Sequence, residues 1–183
     1  MILIHHAHIK TMAGKDLEDG CLLIQNGKIA EVAPTIIPPE GVEVVDAQGR
    51  LVTPGCIDAH CHIGLDNEGM RWEGMDYNEI ADPVMPQLRA VDSINPQDEA
   101  FALALRGGVT AACTGPGSAN VVGGTFTVLK LDGICADDMA IKEPAAMKCA
   151  FGENPKGFYG QQLKKNPMTR MGVAALLREL LLR

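Results

Sequence analysis

Val52-Thr53-Pro54-Gly55-Cys56-Ile57-Asp58-Ala59-His60-Cys61-His62-Ile63-Gly64 is the stretch whose reading decides the fold. It opens on a Pro-Gly break, continues as a short apolar run, and sets two histidines one residue apart. In a strand, residues i and i+2 point to one face, so His60 and His62 project together, their Cα atoms about 6.5–7 Å apart from the strand rise. Two imidazoles at that spacing can converge on one metal ion. Cys61 points to the other face and is left out of the ligand set, although thiolate is a good ligand for zinc. Asp58 shares the histidines' face deeper along the strand, where it is a candidate acceptor to order an imidazole. A second H-x-H, His6-Ala7-His8, is read as the polar face of an early strand.

Upstream, residues 1–55 read as strands and turns. Ile2 to Met12 is a β-branched, half-alternating run, and Cys21 to Gln25 is a second. Asn26-Gly27 between apolar runs favours a hairpin, because both central positions want φ > 0. The return strand is Lys28 to Val32. Pro34, Pro38 and Pro39 then break the chain. Val42 to Val45 is a fourth short strand, with Gln48-Gly49 as a turn and Leu51-Val52 leading into Pro54-Gly55. No helical period is visible, so this part is expected to be a small β-sheet or half of a β-sandwich.

Downstream, residues 56–183 change character. Cys56 to Ile63 is a strand, and Asp66 to Ala81 an acidic, Gly-containing loop. Asn95-Pro96-Gln97-Asp98 predicts a helix start, with Asn as N-cap and Pro at the first helical position. Phe101, Ala104 and Leu105 form its apolar stripe, and Gly107-Gly108 ends it. Val109 to Thr114 follows at once as a buried strand. Helix, glycine, apolar strand is the αβ half of a βαβ unit, which predicts a parallel sheet with helices outside. Thr125 to Leu131 and Ala145 to Phe151 are further strands. Asn166-Pro167 predicts the start of a last helix with Val173, Ala174, Leu177, Leu180 and Leu181 as its apolar stripe.

The run Pro54-Gly55-Cys56-Ile57-Asp58-Ala59-His60-Cys61-His62-Ile63-Gly64, preceded by the Asn26-Gly27-Lys28-Ile29 hairpin, resembles the opening of the amidohydrolase superfamily of metal-dependent hydrolases. The nearest flavour is the imidazolonepropionase-like and cytosine-deaminase-like branch. The resemblance implies an α/β fold, a (β/α)8 barrel of TIM type fused to a small β-sandwich, of which this chain holds a part. It puts His60 and His62 at the C-terminal end of the first barrel strand, where barrel enzymes carry their chemistry. It implies a divalent metal, zinc in most members and iron, manganese or nickel in others, which activates a water for attack on a carbonyl or amidine carbon. The reaction implied is hydrolysis of carbon–nitrogen bonds other than peptide bonds, or deamination, of a small-molecule substrate.

Many members add a bridging ligand, a carboxylated lysine or a glutamate. The candidate is Lys148, in Ala146-Met147-Lys148-Cys149. Burying an ammonium is costly, so burial lowers a lysine's pKa, and the neutral amine can take up carbon dioxide as an anionic carbamate. The other reading is a lysine whose head reaches solvent at a strand edge. Glu153 is the rival carboxylate, read as a loop residue. Gly115-Pro116-Gly117 and Gly123-Gly124 lack the full G-x-G-x-x-G pattern and read as turns. The acidic stretch from Asp66 to Asp82 matches no EF-hand spacing and reads as a solvated loop over the barrel mouth.

Composition narrows the function classes. The chain has 183 residues, 46% of them hydrophobic, and a net charge of -7. That balance argues against a nucleic-acid partner, which needs a basic patch, and no apolar run reaches the roughly 18 residues of a membrane span. The six cysteines form no C-x-x-C pair and lie in apolar runs, which suits free thiols in a reducing cytoplasm. No histidine follows His62. The family's further histidine ligands and its general-base aspartate are therefore expected beyond the chain, with no catalytic residue inside it. About half of the ~250 residues of a full barrel follow residue 55. The alternative expectation is an inert fragment that binds metal weakly or associates with another copy through exposed sheet edges.

Overall fold

The computed structural model describes residues 1–182. It divides into two compact units, Met1–Pro54 and the chain from Gly55 onward.

The first unit is a single mixed sheet of one layer. Its spine is β1 (Ile2–Ile9), which pairs antiparallel with β2 (Leu17–Gln25). β3 (Lys28–Ala33) extends the sheet from β2. β4 (Glu43–Asp46) and β5 (Leu51–Val52) both run parallel to β1, one beside each half of it. The predicted Asn26-Gly27 turn closes the β2–β3 hairpin with φ of 52° and 71°, the left-handed pair whose twist suits a two-residue connection. β1 is interrupted at His6, whose φ is 51°, and its register with β2 slips around Ala7. Such a bulge re-aims side chains. Beyond it Ala7 and Ile9 pack with Leu22 and Ala47, whereas Leu3 packs with Cys21 and Leu23.

The second unit is built on a sheet in the order β6-β7-β8-β9. β6 (Cys56–Cys61) and β7 (Val109–Thr114) are parallel, joined by a long crossover that contains α1 (Glu99–Arg106). β8 (Val122–Lys130) and β9 (Ala140–Cys149) then return antiparallel. The all-parallel half-barrel expected from sequence therefore holds only for the first pair. The reason is connection length. Residues 115–121 join β7 to β8, and residues 131–139, with the single turn α2 (Ala136–Met139), join β8 to β9. A parallel return needs a crossover of about a dozen residues or more, whereas an antiparallel one closes with a short loop. The fold is thus mixed α/β.

Helix starts also shift. α1 is capped by Asp98, whose carboxylate accepts from the Ala100 amide at 3.1 Å, not by Asn95. Asn95 instead closes a preceding turn by accepting from Gln97 at 3.1 Å. Asp98 also accepts from the Glu68 amide at 3.1 Å, pinning the acidic loop to the helix start. After the short α3 (Glu153–Lys156), α4 (Arg170–Leu181) begins at a Thr169 cap, three residues past the predicted Asn166. Its packed stripe is Val173, Leu176, Leu177 and Leu180 against Val121 and Val122, while Ala174 and Leu181 face away. Leu65, Ile94, Phe101, Ala112, Leu129 and Met139 form the main core between α1 and the sheet. β6 is an edge strand, and Ile57 on it is 70% exposed. No helix among the described residues is long and apolar enough to cross a membrane.

Phe101 and Leu103 lie on the same helix, 4% and 47% exposed. Phe101→Ala should destabilise the chain by about 3–5 kcal/mol, the range for emptying a buried aromatic site. Leu103→Ala should stay within about 0.5 kcal/mol. Urea unfolding of both variants, followed by circular dichroism, checks the contrast.

Candidate metal centre

His60 is the next-to-last residue of β6 and His62 lies just beyond its end. Their rings sit together as expected, centroids 5.4 Å apart at 77°. β7 holds this strand end in place. The Gly115 amide donates to Cys61 O at 3.3 Å, and the buried Thr114 hydroxyl donates to Ile63 O at 2.8 Å. His62 Nδ1 donates to the Gly115 carbonyl at 2.7 Å. A carbonyl only accepts, so this bond fixes the proton on Nδ1 and leaves the Nε2 lone pair free, the tautomer a metal ligand needs.

Asp58 does not order an imidazole. It accepts from the backbone amide of His60 at 3.1 Å and is exposed, because a short carboxylate two residues back bonds its own strand more readily than a ring ahead of it. Cys61 lies on the other face, against the main core, with its thiol directed at Cys113 O. Burial pushes its pKa up, so it stays protonated and makes a poor ligand. Glu153 starts α3 and pairs with Lys156 at 3.3 Å, away from the histidines' partners.

Lys148 does reach the pair. Its Nζ lies 3.4 Å from His60 Nε2 and 5.8 Å from the centre of the Phe126 ring, a cation–π placement. The antiparallel register sets Gly124 opposite Lys148 and Ala146 opposite Phe126, so both side chains come from one face of β8 and β9. Phe126 in turn lies 5.4 Å from the His60 ring. Partial burial lowers the Lys148 pKa from the ordinary 10.5. The folded state therefore disfavours the ammonium. The penalty is complete below the folded pKa and disappears as pH rises through the free-lysine value. Among the described residues no third His, Cys, Asp or Glu gathers with His60 and His62. Two imidazoles with one tautomer fixed, beside a desolvated amine, fit a divalent ion such as zinc as donors.

Sequence reasoning passed over the residues that support this pair. Tyr77, read as part of a solvated loop, stacks on His62 with centroids 5.4 Å apart at 23°. Its carbonyl accepts from Gly117 at 2.6 Å, and Asn78 accepts from Ala119 at 3.1 Å. The buried Asn120 amide donates to Glu79 O at 2.7 Å and Asp82 O at 2.8 Å. Tyr159 donates to Asp82 O at 2.9 Å. Its phenol, pushed up to about 12 by burial with Asp82 and Glu79 adding, remains a donor at any ordinary pH. The glycines read as turn chemistry serve close approach. A Cβ at Gly115 would stand 2.3 Å from the Phe126 ring, and one at Gly117 2.5 Å from Tyr77. The signal in the sequence was Gly115 and Gly117 flanking a proline directly after β7. A cleft of about 230 Å³ opens beside Tyr77, lined also by Asn78, Glu79, Arg89 and Asp92, with both histidines outside its wall.

No family model matches the chain. It is 34% identical over 167 residues to Amidohydrolase tasK of Hapsidospora irregularis, which covers 84% of this chain and 17% of that protein. It is 37% identical over 117 residues to an Imidazolonepropionase of Paracoccus denitrificans (strain Pd 1222), covering 57% of this chain and 29% of that one. The crystal structure of an amidohydrolase from Thermotoga maritima MSB8 superposes with a TM-score of 0.91 at 43% identity, over 98% of this chain and 46% of the other. The chain therefore spans less than half the length of each.

The lowered basicity of Lys148 has a direct readout. Competitive acetylation across pH, followed by peptide mass spectrometry, should give Lys148 a reactivity midpoint below 10.5. A midpoint at or above that value would mean that the amine is fully solvated.

Proposed function

Because the chain belongs to the amidohydrolase superfamily, we propose that it carries the first ligands of the metal centre of a hydrolase acting on carbon–nitrogen bonds other than peptide bonds. Cyclic amides or amidines are its proposed substrates, with ring opening or deamination as the outcome. The observation that carries the reading is the pair His60–His62, rings 5.4 Å apart, with the His62 Nδ1 proton held on Gly115 O at 2.7 Å. Relatives named amidohydrolase and imidazolonepropionase support it.

Bound at this pair, a divalent ion, zinc by preference and iron, manganese or nickel as alternatives, supplies Lewis acidity and makes water a nucleophile near neutral pH. His62 offers Nε2 in a fixed tautomer, and the stacked Tyr77 shields one face of its ring from solvent. His60 offers Nε2 once the Lys148 head no longer donates to it. Lys148 does so by losing its proton, which its lowered pKa favours. The neutral amine then attacks carbon dioxide. An N–C bond forms, one proton leaves, and the resulting carbamate is an anionic oxygen donor beside His60.

Residues 1–55 are proposed as part of a β-sandwich and residues 56–183 as the first part of a (β/α)8-type barrel. The edge strand β6 is the surface through which copies would associate. Six unpaired cysteines support a reducing, cytoplasmic setting.

His60→Ala and His62→Ala should each lower turnover of cyclic amides and aminated heterocycles by more than the 10–100-fold typical of residues that only orient ligands. Because the further ligands and the general base are expected beyond this chain, steady-state assays in zinc or manganese check this on a protein that also carries them, and the chain alone should show no turnover. Turnover that survives both substitutions would remove the pair from the chemistry.

A further inference from the structure

We propose that His5, His6 and Asp46 form a second divalent-metal site, carried by the first unit and built where β1 and the β4–β5 segment jog together.

The three residues each present a donor atom, and all three donors lie within 4.8 Å of one another. His6 Nδ1 and Asp46 Oδ1 are 3.2 Å apart. Two donors about 2.0–2.2 Å from one tetrahedral or octahedral ion stand roughly 3.0–3.5 Å from each other. The ion therefore takes the place of the proton that these two atoms now share. His5 supplies the third donor from a ring whose centroid is 4.2 Å from that of His6, edge to face at 69°. The rings border open space, so a side-chain rotation brings the third donor to ligand distance.

The backbone builds this arrangement. In an unbroken strand, His5 and His6 would point to opposite faces. The left-handed φ of 51° at His6 breaks the alternation and turns both rings to one cleft of about 330 Å³, lined also by Leu3, Asp19, Cys21 and Pro34. The partner strand breaks at the same level. Gln48 and Gly49 have φ of 54° and 74°, which lets the chain step from β4 to β5 while both stay parallel to β1. Two bonds lock the steps together: the Ala47 amide donates to His5 O at 2.9 Å, and the Gly49 amide to His6 O at 2.7 Å. The turn that carries Asp46 thus grips both histidines. Within it the Gln48 amide donates to Asp46 Oδ1 at 2.9 Å.

The donor set selects the ion. Two imidazoles and one carboxylate suit zinc, copper(II) or nickel(II), with copper(II) first by affinity. Two exposed donor residues, His6 and Asp46, with the half-buried His5, leave coordination positions for water or for an anionic group of a small molecule in the cleft. His8 is not a member, since its Nε2 faces Glu18 at 3.6 Å.

Zinc titration calorimetry on the tag-free chain tests the site. The double variant His60→Ala/His62→Ala removes the other histidine pair, so the result does not depend on the proposed hydrolase centre. It should still bind one equivalent of zinc. Adding His6→Asn, which tolerates a left-handed backbone and so keeps the jog, should weaken that binding at least tenfold, and adding Asp46→Asn should do the same. In the unsubstituted chain, nitrogen-15 histidine spectra should show the His5 and His6 ring signals moving with zinc while His8 stays in place. A double variant that binds no zinc, binding undiminished by His6→Asn, or unmoved His5 and His6 signals would overturn the inference.

Discussion

Seven residues separate β7 from β8, and that short span constrains the rest of the second unit. A connection of this length cannot carry a strand back to the start of its neighbour, so β8 must descend antiparallel. The same holds between β8 and β9. The register that follows lays Phe126 and Lys148 side by side, facing the end of β6 where His60 stands. A helical crossover at either place would have put other side chains there. The span itself runs through Gly115 and Gly117, whose missing side chains admit Phe126 on one side and Tyr77 on the other.

The polar groups around the pair are satisfied in layers. Thr114 is fully buried, yet its hydroxyl has a carbonyl to donate to. Asn120 and Tyr159 tie the 79–82 loop to the segment after β7 through bonds between 2.7 and 3.1 Å. Leaving such buried groups unpaired costs about 1–3 kcal/mol each. The loop that carries Tyr77 is therefore held in one position against His62, although its sequence is acidic and looks solvated.

Local chemistry was legible and long-range consequence was not. The Asn26-Gly27 turn, the pairing of His60 with His62 and the turn of Cys61 to the opposite face follow from φ preference and from the two-residue period of a strand. Asp58 was misread because period two fixes a face but not a partner, and its nearest donor was its own backbone. Both helix starts were placed several residues early, at Asn-Pro pairs that make turns before the true caps Asp98 and Thr169. Strand direction was inferred from one βαβ half and extended too far; counting the residues between apolar runs would have corrected it. The kink at His6 was not foreseeable, since histidine in a β-branched run gives no warning of a positive φ.

The edge position of β6 has a consequence for the order in which the chain folds. β7, β8 and β9 follow one another through short loops, so their contacts close early and at small entropic cost. β6 meets β7 only after a crossover of some tens of residues has been closed, and the closure cost grows with length. With a partner on one side only, β6 is also the strand that opens with least loss. Its amides should therefore exchange with solvent sooner than those of β8, which is paired on both sides. The histidine pair is assembled last and released first, so an ion that bridges it to its neighbours would act as the clasp of the sheet.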